Sequence, residues 1–366
     1  MNYKKSLLNW FNELRQPILL EQSPDATQPL QNGKRDETFD VLKGIAIILM
    51  IVGHCEVHSL HAFIHSFHMP LFFFVAGYFL KLRPIKDEIS SSAKRLLVPY
   101  VFLSFCICIV AFIKDLLNYT WADGITTQRT IILHLLGSHA RITPEWLVGI
   151  IGACWFVLAM FWARLFTIIL LKKIKNKHLI CLLFFLLPIV GQILNQFVFV
   201  PYCITQGLCA SSFVFLGFII KKYQVLEKGN FKKLAPLFVI LWLCNWNQGG
   251  VGMASFWYPM GYIFALFGSL GAFFVMYVIM KNLYTKESFL WRGILFAGRY
   301  SLIIYCVHII EARICNWKAF ALLHHFPLEF FDMFQVSIRL IVAFLFTFFI
   351  LKIKPLREHI FQIKII

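Results

Sequence analysis

The sequence predicts an all-α membrane protein: a polytopic bundle of about ten transmembrane helices with both termini in the cytoplasm. Three observations lead there. Hydrophobic residues make up 59% of the 366-residue chain and charged residues 14%, against about 25% charged in soluble domains. Apolar runs of roughly the 17–25 residues that cross a bilayer recur from Phe39 onward. The Lys and Arg residues gather on alternate sides of those runs. Such apolar content excludes a disordered chain. The net charge of +17 would suggest nucleic acid in a soluble protein, but its placement makes it a topology signal, and no nucleic-acid partner is expected.

Residues 1–38 hold no secretory h-region. Met1 to Glu21 reads as an amphipathic helix with Leu7, Leu8, Phe11, Leu14 and Ile18 on one side and Lys4, Lys5 and Arg15 facing anionic lipid. Gln22 to Thr38, with Pro24, Pro29, Asn32 and Gly33 among polar residues, reads as a linker. The membrane domain then occupies 39–352 and a cytoplasmic tail 353–366. Its predicted spans are about 40–57, 63–80, 96–117, 149–171, 179–198, 203–220, 234–251, 259–280, 293–312 and 333–351. Between the third and fourth, Arg129 to Leu136 predicts a short interfacial helix.

Orientation follows from the basic residues between spans. With the N-terminus inside, inner segments carry 26 Lys and Arg, whereas outer loops carry 4: Arg129, Arg141, Arg313 and Lys318. Lys43, Lys114, Arg164, Arg299 and Arg339 lie within spans or at their edges. Most of the 10 cysteines sit inside apolar runs, Cys106, Cys108, Cys154 and Cys181 among them, and no C-x-x-C pair occurs. They read as small buried hydrophobes. No internal repeat suggests the inverted symmetry of many transporters.

Ionisable side chains inside a membrane are costly and mark function by default. The densest group lies in the first two spans: Asp40, Lys43, His54, Glu56, His58, His61, His65 and His68. Lys43 and His54 are 11 residues apart, within about 20° of whole helical turns, so Asp40, Lys43, Ile47, Ile51 and His54 form one line. Lys43 then lies near the cytoplasm and His54 roughly 16 Å away, at about 1.5 Å per residue, toward the outer side. A cation at one mouth and an imidazole at the other suit a long anionic ligand that enters from inside and reacts deep in the protein. A plainer account of Asp40 and Lys43 is an N-cap with its local ion-pair partner.

His61, His65 and His68 fall at i, i+4 and i+7. Several histidines with Glu56 would suit zinc, but neither H-E-x-x-H nor a Cys/His zinc signature is present, and no metal is expected. His68 reads as a hydrogen-bonding wall of the His54 cavity, with the other histidines interfacial. In the ninth span Ser301, Tyr305 and His308 form an i, i+4, i+7 polar stripe, suited to an acceptor pocket or an oxyanion donor. Trp155 can stack on a sugar or serve as an interfacial aromatic. Glu311 and Arg313, at the outer end, read as solvated.

Phe39-Asp40-Val41-Leu42-Lys43-Gly44, Val52-Gly53-His54, and Phe67-His68-Met69-Pro70-Leu71-Phe72-Phe73 with Gly77-Tyr78 resemble the N-terminal signature of the acyltransferase 3 family, nearest its fucose 4-O-acetylase branch. Lys94-Arg95-Leu96-Leu97-Val98-Pro99-Tyr100, Trp155-Phe156-Val157 and Gly298-Arg299-Tyr300-Ser301-Leu302 with Tyr305 and His308 extend the resemblance. It implies a multipass transferase of the bacterial cytoplasmic membrane. Such an enzyme moves an acyl group, usually acetyl, from cytoplasmic coenzyme A (acetyl-CoA as donor) to a hydroxyl of a cell-surface or lipid-linked glycan.

On this resemblance His54 and His68 are the catalytic candidates. Lys43, Lys94, Arg95 and Asp40 are the donor-site candidates, and Trp155, Ser301, Tyr305 and His308 the acceptor-site ones. Where the family carries an arginine 11 positions before the histidine and a pair of arginines at the third span, this sequence has Lys43 and Lys94-Arg95. These departures keep charge but lose part of the bidentate geometry. Ordinary positive-inside anchoring is the plainer reading of Lys94 and Arg95. His54 fits either a general base or an acyl carrier. A transporter or flippase using the same polar line is the alternative class, disfavoured by the missing repeat and the single concentrated histidine cluster.

Overall fold

The computed structural model describes residues 36–55, 58–117, 126–139, 142–147, 149–247, 259–323, 327 and 330–363. The predicted interfacial helix over Met1 to Glu21 and the linker after it, up to residue 35, lie outside them, as does Glu56. Among the described residues the regular structure is helical, without strands.

Helix α1 is Thr38–Gly53, α2 His58–His65, α3 His68–Tyr78, α4 Ile85–Ser92 and α5 Val98–Leu116. A π turn, Ala93–Leu97, joins α4 to α5. There follow α6 Thr127–Leu136, α7 Trp155–Lys173, α8 Lys177–Phe197, α9 Ile204–Lys222, the single turn α10 Val225–Lys228, α11 Ala235–Asn247 and α12 Pro259–Leu283. The chain ends with α13 Phe289–Arg299, α14 Ser301–Ile314, α15 Trp317–Leu323 and α16 Phe331–Lys352. Helix α6 is the predicted interfacial helix. Thr126 caps its N-terminus by accepting from the Arg129 amide, and Gly137, at φ +56°, ends it in the left-handed conformation that glycine adopts without strain.

Among the described residues seven helical segments are long and apolar enough to cross a membrane, and α13 with α14 makes an eighth if that bent pair is one span. The ten predicted runs all hold helix, and among the described residues two of those helices are shorter than the bilayer core. Helix α1 has 16 residues and α11 has 13, about 24 and 20 Å at 1.5 Å per residue against a core of roughly 30 Å. The second predicted span breaks at Ser66-Phe67 into α2 and α3. The ninth bends by 82° at Tyr300.

Between helices in lipid, close packing replaces the hydrophobic drive that operates in water. Helix α9 is the most enclosed crossing, with 72% of its apolar window buried, against 28% for α8 and α16. Its small residues permit this. A Cβ on Gly217 would overlap the Phe74 carbonyl of α3, and one on Gly77 of α3 the Val214 carbonyl of α9. The same device joins α1 to α13, through Gly44 against Ile294 and Gly298 against Asp40.

The buried apolar side chains form two cores. Phe39, Leu42 and Ala46 of α1 belong to the first, with α3, α8, α9 and α12. Ile47, Met50 and Ile51 belong to the second, with α5, α14 and α16. Helix α1 is therefore shared, and Phe72, Leu96 and Phe156 pack against both cores. The site lies on that seam.

Candidate active site

Helix α1 carries the predicted line. Asp40 is 2% exposed, and its carboxylate lies 2.8 Å from Lys43 Nζ and 3.9 Å from Arg299 Nε. It is not the N-cap, since that position is Glu37 and Asp40 lies within the first turn. Arg299 also reaches Glu37 at 2.8 Å, where Lys286 at 2.8 Å and the Tyr284 hydroxyl at 2.8 Å converge. The Lys286 hydrogen bond, with that of Tyr284 and the two positive charges, holds the Glu37 carboxyl below its ordinary value against the opposing effect of burial. Lys43 is thus fixed from below by a charge network that ties α1 to α13.

A cavity of about 240 Å³ opens on the seam. One end is cationic, lined by Lys43, Arg95 and Arg164 with Ser92. Arg164 is held in place. It donates to the Glu88 carboxylate through Nε at 3.1 Å and Nη2 at 2.5 Å, while Nη1 donates to the Ala76 carbonyl at 3.4 Å. Ser92 donates to the same carboxylate at 2.7 Å. With Glu88 2% exposed, this arrangement satisfies a buried carboxylate and leaves the guanidinium lining the cavity. The middle is apolar, between Ile47, Val75, Met160 and Leu302, and the far end is lined by Met50, Met69, Phe72 and Phe156.

His54 stands one turn beyond Met50. Its Nδ1 lies 3.0 Å from the Met50 Sδ. A thioether can only accept, so this hydrogen bond requires the Nδ1–H tautomer and leaves the Nε2 lone pair for chemistry. The His54 ring stacks on His308, with centroids 5.3 Å apart and planes at 28°, and its carbonyl accepts from Arg339 Nη1 at 3.2 Å.

Behind His308 lies a polar cluster that sequence reasoning does not find. His308 Nδ1 is 3.3 Å from one oxygen of Glu311, whose other oxygen faces Arg339 Nε at 3.7 Å and accepts from the Trp317 indole N–H. Glu311 is 5% exposed and Arg339 9%. The expectation that Glu311 is solvated is corrected: its i, i+3 position relative to His308 turns it inward, where Arg339 from α16 compensates its charge.

The other expected site residues divide. Ser301 and Tyr305 line the cavity, with the Tyr305 hydroxyl donating to the Ala153 carbonyl at 2.6 Å. Arg95 lines it; the exposed Lys94 is not among its walls. His68 is buried with Nδ1 2.8 Å from the Ile64 carbonyl, edge-on to His65 at 4.8 Å, and its neighbour Met69 lines the cavity in its place. Trp155 packs 5.8 Å from the His139 ring and beside Phe156. Among the described residues no group of three or more His, Cys, Asp or Glu is placed to hold a metal ion.

Fold and site together define a multi-pass membrane protein with a cavity that runs from a cationic end toward an imidazole. Residues 36–353 match the acyltransferase domain of the acyltransferase 3 family, and the chain belongs to that family. It is similar to the nodulation protein NolL of Mesorhizobium japonicum, 26% identical over 164 residues. That match covers 40% of this chain and 38% of NolL. No solved structure matches.

Proposed function

We propose that the protein transfers an acyl group, acetyl foremost, from cytoplasmic acyl-CoA to a hydroxyl of a cell-surface or lipid-linked glycan. On this reading it crosses the bacterial cytoplasmic membrane ten times through residues 39–352, with residues 1–38 and 353–366 on the cytoplasmic side. The carrying observation is the cavity lined by Lys43, Arg95 and Arg164 at one end and by Met50, the neighbour of His54, at the other. Three cations suit the phosphates of coenzyme A, and the apolar middle suits its extended arm.

Asp40 and Arg299 position Lys43; Lys94 adds positive potential at the mouth. At the far end the Nε2 of His54 removes the acceptor hydroxyl proton as the oxygen attacks the thioester carbonyl. The C–O bond forms, the C–S bond breaks, and the proton returns from the imidazole to the departing thiolate. In the acyl-histidine route Nε2 attacks first, the N–C bond forming as the C–S bond breaks and coenzyme A leaves as thiolate; the acceptor oxygen then takes the acyl group as the N–C bond breaks, and its proton goes to the thiolate. His68, with Nδ1 engaged by the Ile64 carbonyl, offers a second Nε2 to the acceptor hydroxyl. Tyr305, Ser301, His308 and Trp155 form the acceptor wall.

The test uses purified protein in lipid nanodiscs with radiolabelled acetyl-CoA and the surface glycan fraction of the host. Label reaches glycan with the wild type and falls by about 10²–10⁴-fold in His54→Ala. A wild type that transfers no label, or a His54→Ala variant as active as wild type, defeats the assignment. Label retained on the protein when acceptor is omitted selects the acyl-histidine route.

A further inference from the structure

Lys43 and Ile47 of the α1 line form the cavity wall together with Met50, one turn before His54, and His54 itself does not. Met50 stands between. Its sulfur is 3.0 Å from the His54 imidazole and the residue is 3% exposed. Met69 and Phe72 line the same end from α3. An acyl thioester advancing from the Lys43 end therefore meets the Met50 thioether before it meets His54. Met50 thus fills the space between the end of the cavity and the Nδ1 side of the imidazole.

Met50 is suited to give way. An unbranched thioether turns about three torsions without disturbing the backbone, and its sulfur makes only a weak hydrogen bond. The α1 backbone cannot move instead, since Gly44 is in backbone contact with Ile294 and the His54 carbonyl is held by Arg339. Room for the acyl group is thus the room this one side chain vacates, bounded by Met69, Phe72 and Phe156.

We propose that Met50 is the specificity-determining residue for the acyl donor: it swings aside to admit the acyl group to His54 and, by the volume it retains, limits that group to acetyl size. This inference rests on the acyltransferase reading of the same site. It differs from a general narrowing of the cavity, because Met160 lines its middle, which on the same reading takes the arm common to every acyl-CoA.

The experiment compares kcat/KM for acetyl-CoA and butyryl-CoA in wild type, Met50→Ala, Met50→Val and Met160→Ala, each checked for monodispersity in detergent. In Met50→Ala the butyryl-to-acetyl ratio rises about tenfold or more, the discrimination that one or two methylenes carry in a fitted pocket. Met50→Val moves it in the same direction and carries the test if Met50→Ala does not fold. Met160→Ala changes KM for both donors alike and leaves the ratio in place. A wild type that transfers acetyl while both Met50 variants keep its ratio overturns the Met50 assignment and leaves the acyltransferase reading standing. An equal rise in Met160→Ala does the same. A wild type that transfers neither group ends both.

Discussion

Gly298 lies in backbone contact with Asp40: a Cβ at Gly298 would overlap the Asp40 carbonyl oxygen, as one at Gly44 would overlap that of Ile294. The helices that carry the two ends of the charge network therefore touch main chain to main chain, and side-chain rearrangement cannot relieve an added methyl. Gly298→Ala and Gly44→Ala should each destabilise by about 3 kcal/mol, the upper end for overpacking. A Cβ at Gly293, on the same helix as Gly298, would meet nothing within 4 Å, so Gly293→Ala should match or exceed wild-type stability. Thermal unfolding in detergent, followed by tryptophan fluorescence, separates the three.

The Glu311–Arg339 pair is buried on both sides, with side chains 4% and 10% exposed. Removing one partner strands the other's charge, so Glu311→Ala should cost about 3–5 kcal/mol. Adding Arg339→Met should recover most of that loss, because the uncompensated cation is gone. The same unfolding assay reads both, and a double variant no more stable than the single one would show that the pair is not coupled.

At the cationic end the structure distinguishes two adjacent residues. Arg95 lines the cavity and Lys94 does not. Arg95→Ala should raise the acyl-CoA KM about tenfold, the loss expected for one charge-assisted contact, with the effect shrinking at high salt. Lys94→Ala should change KM about twofold or less. Steady-state kinetics at two ionic strengths decide it.

Glu37 supplies a pH dependence. Its folded-state pKa is depressed from the ordinary 4.5, chiefly by the Lys286 hydrogen bond. A depressed carboxyl stabilises the fold above its unfolded pKa and loses that contribution as pH falls through the folded value. Wild type should therefore be more stable than Glu37→Gln at pH 7, and the gap should close below pH 4.5. Melting temperatures of both proteins across that range test the sign.

The line from Lys43 to His54 is legible in the sequence because helical periodicity alone brings residues 11 apart onto one face. The cavity's third cation is not. Arg164 meets Glu88 across 76 positions of sequence, and no local pattern announces a partner on another span. Glu311 reads as solvated for the same reason, since its compensating charge arrives from α16. Met50 carries no signal as one apolar residue in an apolar run, and its meaning depends on where the cavity stops. The break at Tyr300 is hidden too. Gly298-Arg299-Tyr300-Ser301-Leu302 reads as uninterrupted helix by hydropathy, and the bend follows directly on the helix that packs against α1 through Gly298.

The contact between α1 and α13 also orders events in time. Glu37 and Arg299 are 262 positions apart, so at a synthesis rate of roughly 5–20 residues per second the first helix waits on the order of 10–50 s for its partner. During that interval Asp40 and Lys43 have each other but not Arg299. The cationic end of the cavity is therefore among the last features of the protein to be completed, and on the proposed function measured activity doubles as a readout of insertion through the ninth hydrophobic segment.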